Sequence, residues 1–315
     1  NGGWENEATV EAFKNYCQYV TEQLGDLMHY VCTINEANMG IQVAAISARY
    51  RAQMMAKMQR MQQGGAEEKK DLEGTAQVGM NFNDMMANMQ KQKEENVEIF
   101  GTDTLQTFVS ARTPEGDMLV IRAHQAARAA MKAVKPELQI GLTLSLHDIQ
   151  AQEGGEETAA KEWVDEFTHY VPYIKEDDFF GLQNYSRSLI GPNGILPVPE
   201  GAEITQMDYE YYPEGLEHVI RRVYEEMPMP IMVTENGIAT ADDTRRVAYI
   251  QTAMKGVENC IQDGIPVKGY MYWSMMDNFE WQKGFGMTFG LISVDRTTQT
   301  RTAKPSLTVL GNYTK

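Results

Sequence analysis

The sequence predicts an α/β protein built around a parallel sheet. Strand-like apolar runs alternate with stretches of helical periodicity, and a helix separates each run from the next. Polar residues suited to chemistry (Glu36, Tyr185, Glu235, Glu280) fall at or beyond the C-terminal ends of those runs. Parallel neighbours need crossover helices, and ligands gather at that strand edge in closed α/β barrels and in open doubly wound sheets. The residues alone leave those two architectures open.

Val10, Phe13, Cys17, Val20 and Leu24 recur at helical spacing, and Gly25 offers a left-handed stop. Tyr30–Ile34 then reads as a buried strand ending at Asn35-Glu36. A second helical run, Leu119 to Val134, is broken by Pro136 and followed by the strand Gln139–Leu144. Lys161 to Tyr173 reads as helix and Asp178–Ser186 as strand. Leu216–Glu226 is helical, ended by Pro228 and Pro230 before the strand Ile231–Thr234. Thr244–Gln262 forms a long helix stopped by Gly264, and Val267–Trp273 is the last strand.

The interval from about 39 to 118 breaks this rhythm. It holds Met54, Met55, Met58 and Met61, a polar tract from Gln62 to Lys70, and then Met80, Met85, Met86 and Met89. It reads as a large, partly helical insertion whose methionines either pack it down or line an adaptable pocket.

Composition sets the outer bounds. The 315 residues are 43% hydrophobic and 23% charged, which suits one large barrel or two average domains. A net charge of −16 leaves no basic stripe to neutralise phosphates, so a nucleic-acid partner is not expected. Three cysteines without CxxC spacing read as reduced structural thiols, and five scattered histidines suggest no metal site. No apolar run approaches the ~18 residues needed to cross a bilayer. Gly284-Phe-Gly-Met-Thr-Phe-Gly290 has the wrong glycine spacing and context for a dinucleotide site.

The most telling stretch runs from Tyr270 to Asp295. It presents Trp273, Asp277, Asn278, Glu280 and Trp281 within nine positions. Flat indoles beside a carboxylate suit a sugar: the indole covers C–H faces and the carboxylate accepts two neighbouring hydroxyls. This stretch resembles the last barrel strand and following loop of the family 1 glycoside hydrolases, the β-glucosidase family. Val233-Thr-Glu-Asn-Gly237 resembles that family's nucleophile strand, and Thr33-Ile-Asn-Glu-Ala37 its acid/base strand.

The resemblance implies a TIM (β/α)8 barrel, with residues 1–315 forming a single, partial barrel domain. It implies a retaining β-glycosidase that hydrolyses terminal β-D-glycosyl residues of non-phosphorylated glycosides by double displacement. The expected substrate is a β-glucoside or small oligosaccharide, with no cofactor or metal, no membrane partner and a cytoplasmic setting. Such enzymes place two carboxyl groups about 5–5.5 Å apart. By resemblance, Glu235 is the nucleophile and Glu36 the acid/base. Asn35 grips the sugar's 2-hydroxyl, and Tyr185 contacts the nucleophile. Gln183 is a further sugar contact, Trp273 the platform, and Glu280 with Trp281 the pair that holds the far side of the glycone. A carboxylate at position 280 favours free hydroxyls over a 6-phosphate. Ala37 departs from the proline usual after the acid/base, Gln183-Asn184-Tyr185 replaces Asn-Tyr-Tyr, and Ala253 stands where a helix histidine is common.

Gly2-Gly-Trp-Glu-Asn6 resembles the segment just after the third barrel strand. The expectation is therefore a barrel lacking its first three βα units, on the order of 90 residues. Absent with them are a Gln and a His-Trp pair for the glycone and an Arg beside the nucleophile. Both end strands, Tyr30–Ile34 and Val267–Trp273, would be left uncovered. A separate N-terminal fragment, a second copy, or further sequence of the same chain would complete the structure. The alternative function is a non-catalytic sugar-binding or interaction subunit made of an incomplete barrel.

Overall fold

A computed structural model describes residues 2–62, 82–103 and 110–314. In chain order, helix α1 (Ala8–Leu24) leads to strand β1 (Tyr30–Cys32), then to α2 (Met39–Gln62), α3 (Phe82–Phe100) and α4 (Pro114–Val134). Short strands follow: β2 (Gln139–Gly141), β3 (Thr143–Ser145) and β4 (Asp148–Ala151). Next come α5 (Glu156–Trp163), α6 (Val171–Ile174), β5 (Phe180–Gln183), β6 (Arg187–Gly191) and β7 (Gly194–Ile195). The remainder comprises α7 (Gly215–Glu226), β8 (Ile231–Asn236), α8 (Asp243–Gln262), β9 (Val267–Tyr272), β10 (Ile292–Val294), β11 (Arg301–Ala303) and α9 (Pro305–Gly311).

The chain divides into two compact units. The first takes in 2–62, most of 89–144 and 165–177. Here β1 pairs in parallel with β2, Tyr30 opposite Gln139 and Cys32 opposite Gly141. Cys17 of α1, Ala127 and Met131 of α4, and Leu138 and Ile140 form its core, with Phe13, Met28 and Val31 packed against it. Helix α4 is capped by Thr113, whose Oγ1 accepts the Gly116 N–H, with Pro114 as the first helical residue.

The second unit is built chiefly from 145–164 and 178–314. β5, β8 and β9 are successive neighbours in a parallel sheet. Leu216, Val219, Ile220 and Val223 line the buried face of α7 at helical spacing. Each such side chain contributes roughly 1.5–3 kcal/mol by leaving water. A smaller sheet runs β4–β6–β7, parallel then antiparallel.

Several elements differ from expectation. β1 stops at Cys32, because the chain turns at Thr33, whose N–H bonds the Gly141 carbonyl. The expected strand 139–144 breaks at Leu142 into β2 and β3. The helix expected over 161–173 starts at Glu156, ends at Trp163 and passes into a π-turn at Val164–Thr168. Gly25 is right-handed (φ −55°) and opens a 3-10 turn rather than giving the expected left-handed stop, whereas Gly264, expected to stop α8, is left-handed (φ +87°). The sheet β4–β6–β7 was not foreseen, since Asp148, Gln150 and Arg187 interrupt any apolar run.

The expected insertion begins with α2 at Met39 but gives way to α4 at Pro114, a few residues early. Met55 is exposed. The tract 63–70 and Met80 lie outside the described residues, as do the side chains of Met54, Met58, Met61, Met85, Met86 and Met89. All three cysteines are free thiols. No helix among the described residues is long and apolar enough to cross a membrane.

Candidate active site

β8 is buried through Ile231, Met232 and Val233 and becomes half-buried at Thr234 and Glu235. Near its C-terminal end, just before the buried Asn236, the strand thus presents Glu235. Gln183, the fully buried last residue of β5, stands opposite Glu235 in the sheet register. Two residues on, the Tyr185 hydroxyl donates to Glu235 Oε2 at 2.5 Å, a length typical of a phenol bonded to a charged carboxylate. The Tyr185 ring is fixed by packing on Met207, Tyr209, Ala239 and Phe289, a cluster that Trp273 also joins. Tyr209 and Phe289 lie 6.4 and 6.3 Å from Tyr185, centroid to centroid.

The residue after Glu235 carries a network that sequence reasoning missed. Asn236 is fully buried. Its Nδ2 donates to the Asn184 carbonyl at 2.6 Å, and its Oδ1 accepts from the Tyr270 hydroxyl at 2.7 Å. Tyr249 closes the ring, donating to the Tyr185 carbonyl at 3.1 Å. Burial pushes the Tyr249 and Tyr270 phenols well above the usual range, so both remain proton donors at neutral pH. Gly237 comes next. A Cβ there would collide with the Trp273 carbonyl, and the Trp273 N–H donates to the Asn236 carbonyl at 2.9 Å. Only glycine allows so close a backbone approach.

Beyond β9 the Trp273–Ser274 peptide is cis. Asn278 Nδ2 then donates to Glu280 Oε2 at 2.9 Å, and the Glu280 N–H bonds the Gly284 carbonyl at 2.7 Å. Glu280 is half-buried, whereas Trp281 is 67% exposed with a left-handed φ of 32°. Asp277 anchors the loop through the Gly290 N–H (2.8 Å) and Lys304 Nζ (3.1 Å). Burial, helped by nearby Arg246, holds the Lys304 ammonium below its usual pKa despite the Asp277 partner.

Asn35 and Glu36 belong to the first unit, in the turn between β1 and α2. Asn35 is exposed and Glu36 half-buried, with a left-handed φ of 45°. Such a backbone costs roughly 1–3 kcal/mol for a non-glycine residue and persists only where its surroundings enforce it. Thr33 Oγ1 bonds His124 Nδ1 at 2.7 Å, and His124 Nε2 bonds Asp177 at 3.0 Å. The Ala37 N–H donates to the Thr143 carbonyl at 2.9 Å, and the Ala37 carbonyl accepts from Arg112. The histidines, set aside at the level of sequence as scattered, include one that braces this turn. Among the described residues no cluster of three histidine, cysteine or carboxylate side chains could hold a metal ion.

A family model, Glycosyl hydrolase family 1, matches residues 1–63 and 175–313, and the chain belongs to that family. It is 37% identical to a 1,4-β-D-glucan glucohydrolase of Thermotoga neapolitana over 147 residues, 42% of this chain and 33% of that protein. To a β-glucosidase of an Agrobacterium species it is 26% identical over 338 aligned positions, covering 97% of this chain and 66% of that protein. The crystal structure of a β-glycosidase superimposes with a TM-score of 0.77 at 40% identity, covering 99% of this chain and 68% of that one. A (β/α)8 barrel fits these neighbours. The chain spans about a third to two thirds of the length of those two curated relatives.

Proposed function

We propose that the chain carries the two working carboxylates of a retaining β-glycosidase acting on non-phosphorylated β-glucosides. The observation that supports this most is the 2.5 Å bond from Tyr185 to Glu235 near the C-terminal end of a parallel strand. It holds the carboxylate ionised and aimed, as a nucleophile requires. Glu235 attacks the anomeric carbon while Glu36 protonates the departing oxygen. Water, deprotonated by Glu36, then releases the glycosyl group with net retention. Asn35 serves the 2-hydroxyl, Gln183 is a further sugar contact, Glu280 with Trp281 holds the hydroxyls on the far side of the glycone, and Trp273 is the platform beneath it.

The same proposal includes the remaining barrel units. β1 has Tyr30 and Cys32 exposed, and β9 has Met271 exposed. β9 also carries an exposed Lys268, an edge charge that a reading of the strand as simply apolar overlooks. Polypeptide supplying the first three units, continuous with this chain or separate from it, would cover these strands and bring the remaining glycone contacts.

Turnover of an aryl β-glucoside by the purified protein tests the reading. Glu235→Gln is expected to leave below about one per cent of the rate, because no other group can attack the anomeric carbon. Glu36→Ala is expected to spare substrates with good leaving groups and to yield a β-glycosyl azide with azide. An α-configured azide, or several per cent of activity in the Glu235→Gln variant, rejects the assignment.

A further inference from the structure

Arg112 lies outside every recognised motif, yet its side chain is only 2% exposed and reaches the carbonyl of Ala37, the residue that follows Glu36. Its Nη2 donates to the Ala37 carbonyl and, at 3.2 Å, to Asp117 Oδ1. Asp117 is itself buried and fixed from two further sides, by the Tyr170 hydroxyl at 2.8 Å and by His169 Nε2 at 3.0 Å. The Arg112 N–H also donates to the Gly40 carbonyl at 3.0 Å, so backbone and side chain grip the same turn.

Simple stability does not account for this placement. Among the described residues the Arg112 Nε and Nη1 are buried without a hydrogen-bond partner. A buried guanidinium that leaves donors unmet is costly, and an apolar residue would fill the space more cheaply. What the guanidinium does secure is the Ala37 carbonyl. Ala37 is fully buried, has no ring to fix its φ, and its N–H is already held by Thr143. Immediately before it, Glu36 adopts its left-handed backbone. A residue held at both its N–H and its carbonyl keeps the residue before it from relaxing into an ordinary conformation.

We propose that Arg112, braced by Asp117, is a positioning residue that holds Glu36 in the geometry needed for proton transfer. This rests on the acid/base reading of Glu36. The group it acts through is the Ala37 carbonyl. Loss of the clamp therefore acts on the step that needs the acid and leaves binding of the sugar little changed.

Arg112→Lys keeps the charge but replaces a planar fork with a single point donor. Asp117→Asn loosens the brace while keeping its shape, and serves if the lysine variant fails to fold. Amide hydrogen exchange at Ala37 and Met39, whose N–H groups bond Thr143 and Glu36, should quicken about tenfold in either variant. The values of kcat/KM should fall about tenfold or more for alkyl glucosides and less than about twofold for nitrophenyl glucosides, a milder form of the Glu36→Ala pattern. Unchanged exchange, or equal loss on both substrates, overturns the proposal. If Glu36→Ala shows no leaving-group dependence, the acid/base reading falls instead, and exchange alone then decides whether Arg112 clamps the turn.

Discussion

Lys283 and Asp208 form an ion pair of 3.0 Å that ties the short loop bearing Glu280 and Trp281 to the turn at Thr205–Tyr209. That turn is firmly built: Gln206 Oε1 accepts from both the N–H and hydroxyl of Thr288, and Asp208 adopts a left-handed φ of 66°. Cutting the tie should let the Glu280 loop wander. Lys283→Met is expected to raise KM for glucosides about two- to fivefold, in line with a partly exposed pair, with kcat and melting temperature little changed. The charge-swapped pair Asp208→Lys with Lys283→Asp should recover part of the loss. Steady-state kinetics of the wild type and the two variants checks this.

Tyr185→Phe removes the proton donor on Glu235 while keeping the ring that packs on Tyr209 and Phe289. A hydrogen bond to a charged group is worth about 1.5–3 kcal/mol. The expected result is a fall of about 10- to 100-fold in kcat/KM, with stability nearly unchanged. A fall confined to KM would place the hydroxyl on the sugar rather than on the nucleophile.

Glu280→Ser should weaken glucosides strongly and relax discrimination against 6-phosphoglucosides. A carboxylate facing a phosphate is repulsive, so its removal favours the charged substrate relative to the neutral one. The ratio of kcat/KM for the two substrates is expected to shift by about tenfold or more. A constant ratio would remove Glu280 from the specificity site.

Acid sensitivity should centre in part on Asp243. Burial alone pushes its carboxyl up, but the Ser306 hydroxyl and N–H and the Arg246 guanidinium outweigh it and hold the carboxyl below its ordinary 3.8. A carboxyl depressed in the folded state adds stability that is present above its unfolded pKa and lost as pH falls through the folded value. Asp243→Asn should therefore cost about 1–2 kcal/mol near neutrality. The gap in melting temperature between the two proteins should close below about pH 3.8. Thermal melts across that range measure it.

Elements with long apolar periodicity were legible in the sequence: α1, α7 and α8 begin and end within a few residues of expectation. The proposed chemical positions Glu235 and Glu280 were picked from compact local motifs, and the structure puts Glu235 on β8 and Glu280 at the start of the 3-10 turn Trp281–Lys283. What stayed hidden depends on partners distant in sequence. Asn236 meets Asn184, Tyr249 and Tyr270, and Arg112 meets Ala37, none of them at a spacing that periodicity could reveal. The sheet β4–β6–β7 escaped for a different reason. Three of its polar side chains are paired within the fold, Arg187 binding Glu210 and Gln150, and Gln150 binding Asp148. A strand whose polar groups are paired inside the fold shows no hydrophobic alternation.

The crowding at Gly237 bears on how this protein could be redesigned. Strand β8 and the chain leaving β9 touch there backbone to backbone, with the Trp273 carbonyl against Gly237 and the Trp273 N–H on Asn236. A larger residue at 237 would pry Glu235 of β8 away from the Trp273 indole. Changes of substrate range would therefore have to enter through the 277–286 loop, where exposed Phe279, Trp281 and Phe285 leave room for exchange. Strand β8 is a fixed anvil, and the loop is the interchangeable tool.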